Sequence, residues 1–227
     1  MIPKLIQQIT YWPTYLILKT FFRYQAEARE NLKGLEDRSV IFASNHASYI
    51  DGPISAAAMP RKGFTPKNFF PVRFLALKKY YHLKTNLFPF PLNLFTTLYA
   101  RLNGSIPVVR GRGDLETALT EPIRALKEQK AVKLWIYPEG KITKHGKLQP
   151  GKRGAAYLHF KTGAPIVLVG IIGNYRMFAP ANFIRFLLGF KKLKVRIGKP
   201  IYSLGNISLE EGTKKVMKAI ENLIRIP

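Results

Sequence analysis

An α/β fold is expected, a single domain whose largely parallel mixed sheet is flanked by helices, and three observations predict it. Short β-rich apolar runs alternate along the chain with stretches of helical spacing, as strand and crossover helix do in βαβ units. No repeat of 20 to 50 residues and no low-complexity linker divides the 227 residues. With 47% apolar and 12% aromatic residues the chain has ample material for a core.

The elements follow in order. Between Lys4 and Lys19 lie fourteen uncharged residues, but Gln7, Gln8, Thr10, Pro13 and Thr14 are among them. That is short and polar against the roughly 20 apolar residues of a membrane span, and the glutamines interrupt any secretory h-region. Tyr11, Trp12, Tyr15, Phe21 and Phe22, with Lys4, Lys19 and Arg23 beside them, are groups that settle at a headgroup layer. Residues 1–30 therefore read as an amphipathic, membrane-associating segment, the other reading being a helix packed on the protein's own core; residues 31–227 form the α/β domain. Strands are expected at 39–44, 72–77, 105–109, 133–137, 165–171 and 193–197. A helix is expected over 114–130, where Leu115, Ala118, Leu119, Ile123 and Leu126 share a face behind an Asp114 cap, and another over 151–161. Residues 87–102 start irregularly at Pro89 and Pro91 and continue apolar. Ser208 and Glu211 have capping-box spacing ahead of Val216, Ile220, Leu223 and Ile224, which continue a C-terminal helix. A second surface element is expected at 179–199, where Phe186, Leu187, Leu188 and Phe190 precede Lys191, Lys192 and Lys194.

Thirty-seven Lys and Arg against thirteen Asp and Glu give a net charge of +24, so the partners are anionic: nucleic acid, anionic membrane or phosphorylated small molecules. Cysteine is absent, which removes thiolate nucleophiles and zinc-thiolate sites. The rare acids are informative. From 38 to 113 the only one is Asp51, and from 129 to 209 the only one is Glu139. A carboxylate kept alone in a basic tract has a specific task more often than not.

Both sit in motifs that follow apolar strands. In Asn45-His46-Ala47-Ser48-Tyr49-Ile50-Asp51, a five-residue offset on an ideal helix would turn His46 and Asp51 about 140° apart. They meet only if a turn intervenes, and Gly52-Pro53 marks such a junction into a helix. A histidine with a carboxylate to orient it is a general base; with no Gly-x-Ser-x-Gly elbow, the nucleophile comes from the substrate. The plainer alternative is a structural histidine and a helix-capping aspartate. Tyr137-Pro138-Glu139-Gly140 follows the next such strand, and Gly104-Ser105-Ile106-Pro107-Val108-Val109-Arg110 places Arg110 at a strand end, where its fork suits phosphate. Gly163 to Val169 reads as an ordinary buried strand entered through a turn.

In this order the four segments resemble the four blocks of the glycerol-3-phosphate and 1-acylglycerol-3-phosphate acyltransferase family, over residues 45–169. The resemblance implies acyl transfer from a thioester, acyl-CoA or acyl-carrier protein, to the hydroxyl of lysophosphatidic acid, making phosphatidic acid in phospholipid biosynthesis. It implies His46 as the base, Asp51 as its orienter, and an acceptor site containing Gly104, Arg110, Glu139 and Gly140, with Glu139 hydrogen bonding a glycerol hydroxyl. The thioester is already activated, so no metal and no cofactor beyond the co-substrate is needed. The family's Thr-Arg-Ser after Pro-Glu-Gly is here Lys141-Ile142-Thr143, which passes a phosphate contact to Lys141 or Lys144. The expected location is peripheral or monotopic, on the cytoplasmic face of an anionic membrane. Other acceptors, such as another lysophospholipid, glycerol-3-phosphate or a lipid-like alcohol, remain open. A basic nucleic-acid-binding protein is the reading from another class, but no helix-turn-helix, RNA-recognition or zinc motif is readable.

Overall fold

The computed structural model describes residues 2–63, 65–66, 68–86, 88–109 and 114–225. Its elements in chain order are α1 (Ile2–Phe22), β1 (Gln25–Glu27), β2 (Val40–Ser44), α2 (Asp51–Ala58), β3 (Arg61–Lys62), β4 (Thr65–Pro66), β5 (Val72–Leu77), α3 (Leu92–Leu102), β6 (Ile106–Val108), α4 (Leu115–Ala118), α5 (Thr120–Glu128), β7 (Lys133–Ile136), α6 (Gly154–Thr162), β8 (Ile166–Ile172), α7 (Pro180–Leu187), β9 (Lys194–Ile201) and α8 (Leu209–Arg225). Seven strands form one sheet in the order β1-β9-β8-β2-β7-β5-β6, and β3 pairs with β4 in a separate hairpin. All pairings in the large sheet are parallel except β8 with β9.

Helices cover both faces, which is why the central strands are apolar along their whole length instead of alternating with polar residues. Alternate side chains of β2 enter opposite cores. Phe42 packs with Trp135, Val167, Ile54 of α2, and Leu18 and Phe22 of α1. Ile41 and Ala43 pack with Leu134, Leu158 of α6 and Ile220 of α8 on the other side. The expected α/β sheet is therefore present.

Several expected elements differ in their limits. The helix expected over 114–130 is two helices broken at Leu119. Pro122 has no N–H for the Ala118 carbonyl and is tolerated only in a first turn, so a new helix starts two residues before it. Asp114 caps α4 through the N–H groups of Glu116 and Thr117. Ser208 and Glu211 form the reciprocal capping box: Ser208 N–H donates to Glu211 Oε2, and Glu211 N–H donates to Ser208 Oγ. Two strand pieces unexpected from sequence also appear, β1 and the β3–β4 hairpin. β1 joins the sheet edge, its Glu27 bridging Arg196 at 2.6 Å and Lys194 at 3.5 Å.

Candidate active site

In α/β sheets sites gather beyond the carboxyl ends of strands, where the chain changes direction across the sheet. Here β7 lies on one side of β2 and β8 on the other, so the three central strands deliver their following loops to one place. His46 follows β2, Glu139 follows β7, and Asn174 follows β8.

The loop between β2 and α2 turns back on itself around the Asp51 carboxylate. Asp51 N–H donates to the Ser48 carbonyl, while the N–H groups of Ala47 and Ser48 donate to Asp51 Oδ2 at 2.8 and 2.9 Å. His46 Nδ1 lies 2.9 Å from the same oxygen. The required turn is therefore there, and the sequence pair is a spatial pair. Asp51 is 0% exposed and opens α2, a helix N-terminus that favours its charge. The far end of α2 is held by Arg29, which donates to the carbonyls of Ala57 and Ala58. Since a carboxylate only accepts, Nδ1 carries the proton and Nε2 is the basic nitrogen, on a side chain 20% exposed. The imidazole face lies on the Tyr137 ring at a centroid distance of 4.0 Å and 11° between planes.

Glu139 is buried and both of its oxygens are engaged. Oε1 accepts the His46 N–H at 2.7 Å, and Oε2 accepts the Gln149 N–H at 2.8 Å. Burial raises its pKa above the ordinary carboxylate value, against the opposing pull of those two donors. Through these two bonds Glu139 ties the His46 loop to the loop after β7. That loop is tied a second time by Thr143 N–H donating to the His46 carbonyl, and a third by Tyr175 donating to the Lys144 carbonyl at 2.6 Å. Lys141 and Lys144 are exposed on it. Gly140 has φ +69° at its start. Gly104, with φ +68°, has no room for a Cβ, which would come within 2.8 Å of Pro3 of α1. It serves the packing of α1. Arg110 lies outside the described residues.

Three further residues escaped the sequence reading. Asn45 is buried, and its amide exchanges two 2.8 Å hydrogen bonds with the backbone of Ile171. Asn174 donates to Asp51 Oδ1 at 2.8 Å. Gln149 supplies the Glu139 clamp. A polar residue one or two positions beyond a strand's carboxyl end was the available signal for Asn45 and Asn174.

An apolar cavity of about 440 Å³ begins at Gly52, next to Asp51, and runs between α1, α2 and α3, lined by Tyr11, Ala56, Phe74, Leu98 and Tyr99 among others. Outside it, α1 exposes Leu5, Ile9, Leu16 and Phe21, α3 exposes Leu92, and the α7 region exposes Leu188 and Phe190. α1 links these surfaces, with Pro3 against Gly104 after α3 and Phe21 stacked on Phe183 of α7. None of the described helices is long and apolar enough to cross a membrane.

Comparison with known proteins gives a consistent set of similarities. The sequence model of the acyltransferase family matches residues 23–172. The chloroplastic 1-acyl-sn-glycerol-3-phosphate acyltransferase BAT2 of Brassica napus is 24% identical over 98% of this chain and 56% of its own length. The human 1-acyl-sn-glycerol-3-phosphate acyltransferase beta is 28% identical over 66% of this chain and 48% of its own. The chain thus spans about half the length of the curated relatives it matches. The crystal structure of the 1-acyl-sn-glycerophosphate acyltransferase PlsC from Thermotoga maritima superposes with a TM-score of 0.63, at 21% identity, over 96% of this chain and 77% of that one.

Proposed function

The chain belongs to the acyltransferase family, and from that premise we propose that it transfers a fatty acyl group from an acyl thioester to the free hydroxyl of 1-acylglycerol-3-phosphate, giving phosphatidic acid. The observation that carries the reading is the His46–Asp51 pair, 2.9 Å apart, with the apolar cavity starting one residue beyond Asp51. His46 Nε2 takes the proton of the acceptor hydroxyl as its oxygen attacks the thioester carbonyl. Asp51 stabilises the imidazolium that forms. As the tetrahedral adduct collapses, the carbon–sulfur bond breaks and the leaving thiolate takes the proton back from His46. The imidazole thus returns to its starting state, and no covalent enzyme intermediate is required.

The cavity suits an acyl chain by its lining and its position, and the basic loop with Lys141 and Lys144 suits the acceptor phosphate; Arg110 is assigned to the same phosphate by its motif. Glu139 and Gly140 hold that loop in shape. The donor is acyl-CoA or acyl-carrier protein, both anionic, with no other cofactor. The exposed apolar faces of α1, α3 and the α7 region, next to a chain of +24 charge, support monotopic seating on an anionic bilayer, where substrate and product reside.

The deciding experiment is an acyl-transfer assay with both thioester donors over a panel of acceptors: lysophosphatidic acid, other lysophospholipids, glycerol-3-phosphate and a long-chain alcohol. Lysophosphatidic acid is expected to be preferred. A stronger preference for an acceptor without a phosphomonoester, such as a lysophosphodiester, would overturn this acceptor assignment while leaving the acyl transfer.

A further inference from the structure

We propose that Asn174 is a positioning residue for the base, holding Asp51 from the side opposite His46; this rests on the acyl-transfer reading above. The delivery of Asn174 is built into the backbone. β8 ends at Ile172, and Gly173 follows with φ +90°, where a Cβ would come within 2.4 Å of the Lys192 carbonyl oxygen. Only glycine makes that turn. Asn174 then lies 2% exposed, its amide Nδ2 2.8 Å from Asp51 Oδ1, across a sequence separation of 123 residues.

The two oxygens of Asp51 therefore have separate work. Oδ2 takes His46 Nδ1 and two backbone N–H groups, and Oδ1 takes the Asn174 amide. Without that amide, a fully buried oxygen of a charged group loses its side-chain donor, and the carboxylate loses the contact that opposes rotation away from the imidazole. The support is registered with the base itself. The β2–β8 ladder runs to the pair Ser44 and Val169, and the Asn45 amide extends it by bonding both backbone groups of Ile171. The end of β8 and the His46 loop consequently move as one piece. A neutral donor is also the right chemistry, because it spreads the Asp51 charge without replacing it, whereas a carboxylate at 174 would repel it. Among the described residues, the titratable groups beside the pair are Tyr137, against the imidazole face, and Glu139, on the His46 N–H.

The test is the pH–rate profile of Asn174→Ala and Asn174→Asp beside His46→Ala and wild type, with thermal melting of each. Asn174→Ala should lose about tenfold or more in kcat with the KM for the acceptor within about twofold. The acid limb of its profile should move by about half a pH unit or more, since both the charge on Asp51 and its placement against the imidazolium change. In Asn174→Asp the new carboxyl donates to Asp51 only while protonated, so its activity should fall with rising pH where wild type is flat. Folded variants with the wild-type kcat and profile would overturn the positioning role. If Asn174→Ala does not fold, the Asn174→Asp profile decides alone. Should His46→Ala itself stay active, the base assignment fails instead, which separates the two ideas.

Discussion

Tyr137 lies face to face with His46, and behind it Phe74 continues the stack at 6.5 Å and 13°. The imidazole is thus held in two directions, by Asp51 along its edge and by an aromatic ring under its face. The Tyr137 hydroxyl is buried beside the Ser55 hydroxyl, its side-chain hydrogen-bonding neighbour among the described residues. Burial pushes its pKa well up. The ring is therefore the useful part of this side chain. Tyr137→Phe should keep kcat within about threefold and change stability by no more than about 1 kcal/mol, because the hydroxyl loses only its contact with Ser55. Tyr137→Leu, which removes the stack, should lower kcat about tenfold. Equal kcat in both variants would show that the ring does not hold the base.

The base pair makes its own demand. His46→Ala should lower kcat by about 10² to 10⁴ with little change in melting temperature. Asp51→Asn should fold, because an asparagine oxygen in the place of Oδ2 keeps the Ala47 and Ser48 donors, and the Asn174 amide can flip to accept from the new NH₂. Its kcat should still fall by about 10² or more, since the imidazolium has lost its counter-charge. An unimpaired Asp51→Asn would reduce Asp51 to a helix-opening residue.

Lys133 gives a stability signature in pH. It starts β7, is buried, and donates through Nζ to the carbonyls of Leu35, Glu36 and Arg38. Desolvation lowers its pKa from 10.5 to about 8. Below about pH 8 both folded and unfolded chains hold the proton. Between about 8 and 10.5 the unfolded chain binds more, so this group's contribution to stability rises with pH, by up to about 3 kcal/mol. Denaturant unfolding of wild type and Lys133→Met should show a difference that grows in favour of wild type across that window. A difference constant from pH 7 to 10.5 would show that Lys133 is not held in this way.

For the membrane, surface substitution is a better probe than truncation. Gln7, Tyr11, Leu18 and Phe22 of α1 are buried and β1 lies in the sheet, so removal of residues 1–30 would open the core. Leu5→Glu with Ile9→Glu, both on the exposed face, should leave melting unchanged and abolish flotation with anionic vesicles. Salt should loosen the wild-type protein without releasing it fully, since only the ionic share is screened. Unchanged flotation of the double variant would move the anchor to the α7 region, where Phe190 is 76% exposed ahead of Lys191 and Lys192.

What could be read from the chain was what depends on neighbours in sequence. The strands after which His46 and Glu139 stand are apolar runs, the caps at Asp114 and Ser208 are local hydrogen bonds, and the turn joining His46 to Asp51 was announced by Gly52-Pro53. What was hidden depends on distant partners. β1, Gln25-Ala26-Glu27, has no apolar run and becomes a strand by pairing with β9, where Lys194 and Arg196 meet Glu27. Asn174 looks like any loop asparagine until β8 is set beside β2. The bonds that Glu139 accepts from the N–H groups of His46 and Gln149 were hidden too, because they form only when the loops after β2 and β7 are brought together. The break at Leu119 was legible in Pro122 and was overridden by the apolar spacing around it.

Gln7 bonds Val72 through both backbone groups and donates also to the Asn103 carbonyl, so α1 is stitched to the sheet and to the end of α3 from inside the protein. A helix secured in this way is not a leash. If its outer face rests in lipid, the catalytic pair is kept at one depth and one tilt, and the enzyme meets its acceptor only within the plane of the bilayer. Turnover would then follow the mole fraction of lysolipid in the surface, falling as inert phospholipid dilutes it at constant bulk concentration.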